Sequence, residues 1–418
     1  MIEVRPLNQC DGAVTISGSK SYTHRALILS SLADGESIIT NSLRCEDTER
    51  TAKALAKFGV PVFWESDRIR ILGGGGKFKT TDERIDVGNS GTSMRFLTAL
   101  AALKKGVTLL DGNGRMRKRP IVELLKCLGE LGVRAYSQKG DGSPPVIVES
   151  QGLQGGTVKI NGEESSQFLS GLLMVAPYAQ RDVAIEVAGS LASKPYVNIT
   201  SDVMSVFGVE IRNQGYHSFF IGAGQRYLPQ KYRIEGDASN ASYFFSAAAV
   251  CSGRVKVENL NPATIQGDIG FLEILERMGC RVTRGSDSVE VLGGELHSIE
   301  MDMNEMPDLV PTLAVTAAFA RGKTVVENIG HLRFKESDRL HALAVELSKM
   351  GVRIVEGESW LEIEGGKPHG AEIETYDDHR IAMSFAIAGL AVPGVKIKGE
   401  RCVNKSFPEF WETLEKLY

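Results

Sequence analysis

A repeated sequence motif determines the fold. It first reads ALAKFGVPVFWESDRIRILGG at residues 54–74, where a short helical pattern leads through a glycine into two strand-like runs. Similar motifs surround four more glycines. The glycines of the five motifs are Gly59, Gly132, Gly208, Gly279 and Gly351, spaced by 73, 76, 71 and 72 residues. Each glycine suits the position after a helix, where a positive φ costs little without a Cβ, and the alternation that follows predicts a hairpin. The chain is therefore an array of repeats of about 72 residues.

A second element precedes these glycine motifs: a helix rich in small and apolar residues, followed by a strand. It occurs six times, at residues 24–40, 93–112, 166–187, 241–260, 309–329 and 379–399. Because these helices are apolar nearly all round, they are expected to be buried, with the strands forming sheets outside them. The repeat is thus a βαβαββ unit and the fold class is α/β (α+β). The sixth copy lacks its last strands, so residues 1–17 are expected to complete it by pairing with the C-terminal half.

The number of repeats and the chain length predict two domains. A chain of 418 residues is too long for one ordinary hydrophobic core, and six repeats divide naturally into two groups of three. We place one domain at residues 1–17 together with 236–418, and the other at residues 18–235. Solenoids and propellers are disfavoured because the period is longer than those folds use.

Composition and charge exclude several classes of function. The net charge of -4 provides no long-range field to capture nucleic acid or an anionic membrane. The N-terminal segment lacks the pattern of a signal peptide, and no long apolar run predicts a membrane helix, so a cytoplasmic protein is expected. The six cysteines form no CxxC pair, which argues against a zinc site or a disulfide framework. Nucleotide motifs and metal-ligand patterns are missing as well, so no cofactor and no metal are predicted.

Polar residues stand just before each apolar helix. The six stretches begin at residues 17, 88, 163, 235, 304 and 376. Capping of free helical amides explains any one of them, but several helix N-termini that converge on one place would form an anion site. Basic side chains accompany these stretches and could clamp carboxylates or phosphates; they are Lys20, Arg25, Arg95, Arg119, Lys335, Arg339, Arg380 and Lys405.

Nine motifs along the chain, taken in order, carry a resemblance to a known family. They include SGSKSYTHRAL at residues 17–27, GNSGTSMR at 88–95, GRMRKRP at 114–120, SSQFLSGLLM at 165–174 and DDHRIAMSFAIAGL at 377–390, and the set extends to residue 411. The chain resembles the 5-enolpyruvylshikimate-3-phosphate synthases. The resemblance implies two similar domains of three βαβαββ units, an inside-out α/β barrel arrangement, with the active site in the cleft between the domains.

The resemblance also implies a reaction and its residues. The enolpyruvyl group of phosphoenolpyruvate would pass to the 5-hydroxyl of shikimate 3-phosphate, in the pathway to chorismate and aromatic amino acids, with Asp308, Glu336 and Lys20 as the catalytic groups that move protons. Shikimate 3-phosphate would be held by Lys20, Ser21, Arg25, Ser165, Ser166, Gln167, Ser193, Tyr196, Asp308, His331 and Lys335. Phosphoenolpyruvate would be held by Lys20, Gly91, Arg119, Gln167, Arg339, Arg380 and Lys405. These two small molecules are the expected partners, and the protein is expected to be a monomer.

Two positions depart from the family pattern. His331 stands where many members have Asn, which bears on one hydrogen bond to the substrate. Phe96 stands where many members have Pro, which bears on the packing of the glycine-rich loop. Gly91 is present, so the family's inhibitor glyphosate is expected to fit.

Two other readings compete with this one. A UDP-N-acetylglucosamine enolpyruvyl transferase would share the fold, but it typically carries a reactive cysteine in the loop that here reads GNGRMRKRP at residues 112–120. A non-enzymatic repeat scaffold would explain the repeats alone. It would not require Lys and Arg at the helix starts, and a failure to bind either small substrate would favour it.

Overall fold

The computed structural model describes residues 1–7, 9–79 and 84–418. The chain divides into two compact units. The central unit is Gly18–Ile234, and the terminal unit combines Met1–Ser17 with Glu235–Tyr418. Each has its own hydrophobic core.

The central unit contains three repeats. Its helices are α1 (Lys20–Leu32), α2 (Glu46–Lys57), α3 (Gly91–Ala101), α4 (Val122–Glu130), α5 (Ser166–Val175) and α6 (Lys194–Val206). Its first sheet orders the strands Lys231–Arg233, Asp34–Thr40, Arg68–Gly74 and Val62–Trp64; the second orders Ile85–Asp86, Gly106–Asp111, Val146–Ser150 and Arg134–Ser137; the third orders Gly156–Asn161, Val183–Ala188, Ser218–Ile221 and Arg212–Gln214. In each sheet the first two strands are parallel and the remaining pairs are antiparallel.

The terminal unit repeats this plan. Its helices are α7 (Ala238–Val250), α8 (Phe271–Arg277), α9 (Val310–Ala317), α10 (Arg339–Lys349), α11 (His379–Ala391) and α12 (Phe410–Leu414). One sheet orders Asp11–Thr15, Arg254–Glu258, Ser288–Leu292 and Arg281–Arg284; the next orders Glu300–Asp302, Lys323–Glu327, Leu361–Glu364 and Arg353–Glu356; the last orders Ile2–Glu3, Lys396–Ile397 and Glu372–Ile373. The first residues of the chain therefore pair with the C-terminal half, as the sequence predicts.

The odd-numbered helices from α1 to α11 are the buried apolar helices of the prediction. In α11, for example, the residues from His379 to Leu390 are all buried, because small and apolar side chains surround the helix on every side. α2, α4 and α10 carry both buried and exposed faces. The strands lie in separate sheets, and none of those formed by the described residues closes into a barrel.

The structure thus places the polar stretches of the sequence at the N-termini of the buried helices. Ser90, Ser165, Asp237 and Asp378 each accept a hydrogen bond from a backbone amide at the start of such a helix. Capping is therefore real at these positions.

Candidate active site

Two guanidinium groups of the central unit lie against Gly91, the first residue of α3. A Cβ built on Gly91 would lie 2.4 Å from Nη1 of Arg95 and 2.5 Å from Nη2 of Arg119. Arg119 is 5% exposed, follows the short helix Met116–Lys118, and donates from Nη1 to the carbonyl of Asn89 at 3.3 Å. Arginines supply planar donor pairs that match carboxylates and phosphates. The arrangement is suited to an anion, and only glycine leaves the guanidinium groups this close to the helix start.

Gln167 joins this cluster from the next repeat. Its side-chain oxygen accepts a hydrogen bond from Nη1 of Arg95 at 3.2 Å, and its amide nitrogen donates to Oγ1 of Thr92 at 3.0 Å. Ser165 caps the helix on which Gln167 lies. Arg95 and Gln167 are 72 residues apart, about one repeat, and the helices that carry them, α3 and α5, occupy equivalent places in successive repeats.

Arg25 is a buried cation whose hydrogen-bond partners are neutral. Its Nε donates to Oγ1 of Thr200 at 2.7 Å, Nη1 to the carbonyl of Ser21 at 2.9 Å, and Nη2 to the carbonyl of Tyr196 at 2.9 Å. The guanidinium carbon lies 5.3 Å from the centre of the Phe96 ring. Burial lowers the pKa of Arg25 to about 10. Among the described residues no carboxylate pairs with it, and a buried, uncompensated guanidinium favours binding of an anionic ligand.

Other predicted residues of the central unit lie on the same helix starts. Lys20 begins α1, and its Nζ lies 3.3 Å from Oδ2 of Asp47, a buried carboxylate near the start of α2. Ser166 is buried at the start of α5. Ser193 precedes α6 with a left-handed backbone of φ 56°. Ser166 and Ser193 thus lie at the starts of α5 and α6.

In the terminal unit, Arg339 is the centre of a network of carboxylates. Its Nη1 donates to Asp308 at 2.9 Å, its Nη2 to Glu336 at 3.0 Å, and its Nε to Asp378 at 2.9 Å. Burial by itself lowers the pKa of Arg339, but the carboxylates of Asp378, Glu336 and Asp308 raise it overall. The two predicted proton carriers, Asp308 and Glu336, are thus bound to one guanidinium group.

A second arginine and a lysine complete this network. Nη2 of Arg380 donates to Oδ2 of Asp308 at 2.7 Å, and its Nη1 donates to the hydroxyl of Tyr243 at 3.3 Å. Nζ of Lys405, at the end of the short helix Glu400–Lys405, lies 3.7 Å from Oε1 of Glu336. Asp308 and Arg380 are also 72 residues apart. The structure therefore brings together five residues that the sequence predicted for the site: Asp308, Glu336, Arg339, Arg380 and Lys405.

His331 and Lys335 lie beside this network, in and just after the short helix Gly330–Phe334. Burial and the charge of Lys335 lower the pKa of His331 to about 3, which leaves its imidazole neutral at physiological pH. Its Nε2 is buried without a hydrogen-bond partner among the described residues. A buried nitrogen in this state can accept or donate a hydrogen bond once a ligand arrives.

Four carboxylates, three in these clusters and one at the end of the strand that precedes Arg119, were not predicted from the sequence. Asp378 holds Arg339, Asp47 contacts Lys20, and Asp111 binds Arg117 through two hydrogen bonds of 2.9 and 2.7 Å. The fourth, Asp268, accepts a hydrogen bond from Ser239, and burial together with the nearby Asp308 raises its pKa to about 7. The sequence does place Asp378 in the DDHR stretch, where an N-cap alone would explain it.

The described residues hold no group of His, Cys, Asp or Glu side chains arranged to bind a metal ion. None of the helices in the described part of the chain has the length and apolar character that a membrane crossing requires. All six cysteines are free thiols, and Cys10, Cys45, Cys127 and Cys280 are buried.

Comparison with solved structures defines the class of protein. The chain has the fold of the enolpyruvyl transferase NikO from Streptomyces tendae, with a TM-score of 0.80, 20% identity, and 99% and 96% of the two chains covered. It also matches an EPSP synthase from Acinetobacter baumannii with a TM-score of 0.82, 28% identity, and 99% and 97% covered. The fold is that of the enolpyruvyl transferases.

The particular family follows from the sequence comparisons. The profile described as EPSP synthase (3-phosphoshikimate 1-carboxyvinyltransferase) matches residues 4–414. A 3-phosphoshikimate 1-carboxyvinyltransferase of Sulfurovum sp. is 44% identical over 100% of this chain and 99% of its own length, and one of Nostoc punctiforme is 45% identical over 98% and 97%. The chain belongs to the EPSP synthase family.

These comparisons confirm the fold class, the family and the transferase class that the sequence predicts. They do not favour the UDP-N-acetylglucosamine alternative. The assignment of individual residues to substrates stays a prediction.

Proposed function

We propose that the chain transfers the enolpyruvyl group of phosphoenolpyruvate to the 5-hydroxyl of shikimate 3-phosphate and releases phosphate. The observation that carries the proposal is the match to the family along nearly the whole chain, with the cationic helix starts in place in both units. Each substrate carries a phosphate and a carboxylate, and the chain offers arginine and lysine donors for such groups.

The buried guanidinium of Arg25 suits an anionic group of shikimate 3-phosphate, since its partners are neutral and an anion would compensate its charge. Ser165, Ser166 and Gln167 would supply further hydrogen bonds from the start of α5, and Ser193 and Tyr196 from the start of α6. From the terminal unit, Lys335 and the neutral His331 would reach the same substrate.

Phosphoenolpyruvate would lie against Gly91, where Arg119 and Gln167 present donors, and would be held by Arg339, Arg380 and Lys405 of the terminal unit. The same substrates would then contact residues of both units. We therefore propose an open unliganded form and a closed liganded form, with the active site in the cleft that closes.

The chemistry needs proton transfers and charge stabilisation. The 5-hydroxyl loses its proton as its oxygen attacks C2 of phosphoenolpyruvate, C3 gains a proton, and the tetrahedral intermediate then loses phosphate and a proton from C3. Asp308 and Glu336 are the proposed carriers of these protons, with Lys20 as a third participant. Arg339 holds both carboxylates in place and would stabilise the charge that develops on the leaving phosphate.

A direct assay tests the proposal. Purified protein is mixed with phosphoenolpyruvate and shikimate 3-phosphate, and phosphate release is followed; a parallel reaction replaces shikimate 3-phosphate with UDP-N-acetylglucosamine. Phosphate release is expected only with shikimate 3-phosphate. Phosphate release only with UDP-N-acetylglucosamine, or no phosphate release with either acceptor, would refute the assignment. We expect the protein to be cytoplasmic and its active form to be a monomer; sedimentation of the assayed sample checks the monomer.

A further inference from the structure

The chain passes between the two units twice, and the two passages have the same local design. One passage lies at Ser17–Gly18 and the other at Ile234–Glu235. Each contains an isoleucine followed two residues later by a glycine, Ile16 with Gly18 and Ile234 with Gly236. We call the two segments, residues 16–18 and 234–236, the crossings.

In the central unit, Asn41 contacts both crossings. It follows the strand Asp34–Thr40 with a left-handed backbone of φ 54°, and its side-chain amide donates to the carbonyl of Ile234 at 2.7 Å. A Cβ built on Gly18 would lie only 1.7 Å from the backbone oxygen of Asn41. One asparagine thus holds the second crossing by its side chain and lies against the first by its backbone.

In the terminal unit, Asn259 does the same with the roles of the crossings exchanged. It follows the strand Arg254–Glu258 with φ 59°, and its side-chain amide donates to the carbonyl of Ile16 at 2.7 Å. A Cβ built on Gly236 would lie 1.7 Å from the backbone oxygen of Asn259. A left-handed backbone is uncommon outside glycine and needs support from its surroundings.

A third asparagine shows which part of this design is specific to the crossings. Asn328 follows the strand Lys323–Glu327 with φ 58°, so the left-handed asparagine is a feature of the repeat. Its side-chain amide, however, donates to Oδ2 of Asp302 at 2.6 Å, and it lies at neither crossing. The bond from an asparagine amide to a crossing carbonyl is what distinguishes Asn41 and Asn259.

We propose that Asn41 and Asn259 are positioning residues, which hold each crossing against its own unit and confine bending between the units to the few residues that they leave free. Two backbone hydrogen bonds further reduce the number of residues that can bend. Ile234 N–H donates to the carbonyl of Thr40, and Asp237 N–H donates to the carbonyl of Ser17, both at 3.0 Å. With little freedom at the crossings, closure follows one path and brings the catalytic side chains to one geometry. The inference rests on the closure proposed above.

The test removes the two amides and compares them with the third. Asn41→Gly, Asn259→Gly and the double variant keep the left-handed backbone, which glycine adopts without strain, and lose the side chain with its donor. Asn328→Gly is the matched control. Each single crossing variant should lower kcat/KM for shikimate 3-phosphate by about 3- to 10-fold, the worth of one hydrogen bond, while the control keeps it unchanged. Should a glycine variant fail to fold, Asn41→Asp and Asn259→Asp remove the same donor.

Two further measurements separate this role from a stability effect and from a failure of closure. Hydrogen exchange should quicken at the amides of Ile234 and Asp237 in the crossing variants and not in Asn328→Gly, although melting temperatures fall alike. Small-angle scattering of the wild type should show a smaller radius of gyration with shikimate 3-phosphate. A wild type that stays the same size would overturn closure and, with it, the inference. If the wild type closes and the crossing variants are as active as the control, the role of Asn41 and Asn259 is refuted while the proposed closure stands.

Discussion

Replacing Gly91 by alanine should damage the use of phosphoenolpyruvate far more than the fold. The added Cβ would lie 2.4 Å from Nη1 of Arg95 and 2.5 Å from Nη2 of Arg119, so each guanidinium would have to retreat by about 1 Å to reach ordinary contact. A misplacement of about 1 Å in a binding group can cost about 100-fold, or about 2.7 kcal/mol of transition-state stabilisation. We expect kcat/KM for phosphoenolpyruvate to fall by about that factor.

The assay is steady-state phosphate release with phosphoenolpyruvate varied, together with calorimetric binding of shikimate 3-phosphate alone. The second measurement should change less than the first, because Arg25 binds none of the atoms that move, although Gln167 accepts a hydrogen bond from Arg95. Gly114→Ala is the control from the same loop as Arg119, since a Cβ there meets nothing within 4 Å. If Gly91→Ala turned over phosphoenolpyruvate as the control does, the guanidinium groups would not be its ligands.

Two other predictions concern pH and metals. Asp268 has a folded-state pKa of about 7, above its ordinary value of 3.8. Between about pH 4 and pH 7 the carboxyl is therefore protonated in the folded protein and ionised in the unfolded chain. The free energy of unfolding falls as the pH rises through this range. Asp268→Asn should therefore stabilise the protein more at pH 8 than at pH 5 in urea titrations, and an equal gain at both would contradict the pKa. Turnover should be insensitive to EDTA, because the described residues form no metal-binding group; loss on chelation with recovery on adding a divalent ion would contradict this.

The fold was largely predictable from the sequence because the repeat period and the apolar helices are properties of local pattern. The position of cationic residues at the starts of buried helices was predictable too, since Lys and Arg beside an apolar helix stand out from ordinary caps. The contacts among them were not predicted, although the repeat gave a usable signal. Arg95 contacts Gln167, and Arg380 contacts Asp308, across 72 residues in each case, so residues about one repeat apart are in contact near the starts of buried helices.

The carboxylates were harder to predict for a physical reason. Asp378 caps α11 through its Oδ1 and also accepts from Nε of Arg339, and a sequence pattern shows only the first of these uses. Asp268 lies in no motif whose chemistry calls for an acid. Its raised pKa comes from burial and from the charge of Asp308, and both are consequences of packing.

The network around Arg339 carries one more consequence, because Asp308 occupies donors that phosphoenolpyruvate is proposed to need. Asp308 accepts from Nη1 of Arg339 at 2.9 Å and from Nη2 of Arg380 at 2.7 Å. An incoming anion must compete with it for these arginines, so the aspartate that serves the chemistry also weakens binding. Asp308→Asn keeps the shape of the side chain and removes its negative charge, which weakens the competition for Nη1 of Arg339 and Nη2 of Arg380.

We therefore expect Asp308→Asn to bind phosphoenolpyruvate more tightly in the presence of shikimate 3-phosphate, while phosphate release slows by about 10²- to 10⁴-fold, as the loss of a general acid or base would dictate. Equilibrium binding and single-turnover phosphate release measure the two effects separately. A helix cap would behave differently, since its removal costs about 1 kcal/mol of stability and leaves turnover nearly intact. Weaker binding together with normal turnover would show that Asp308 only orders the arginines and carries no proton.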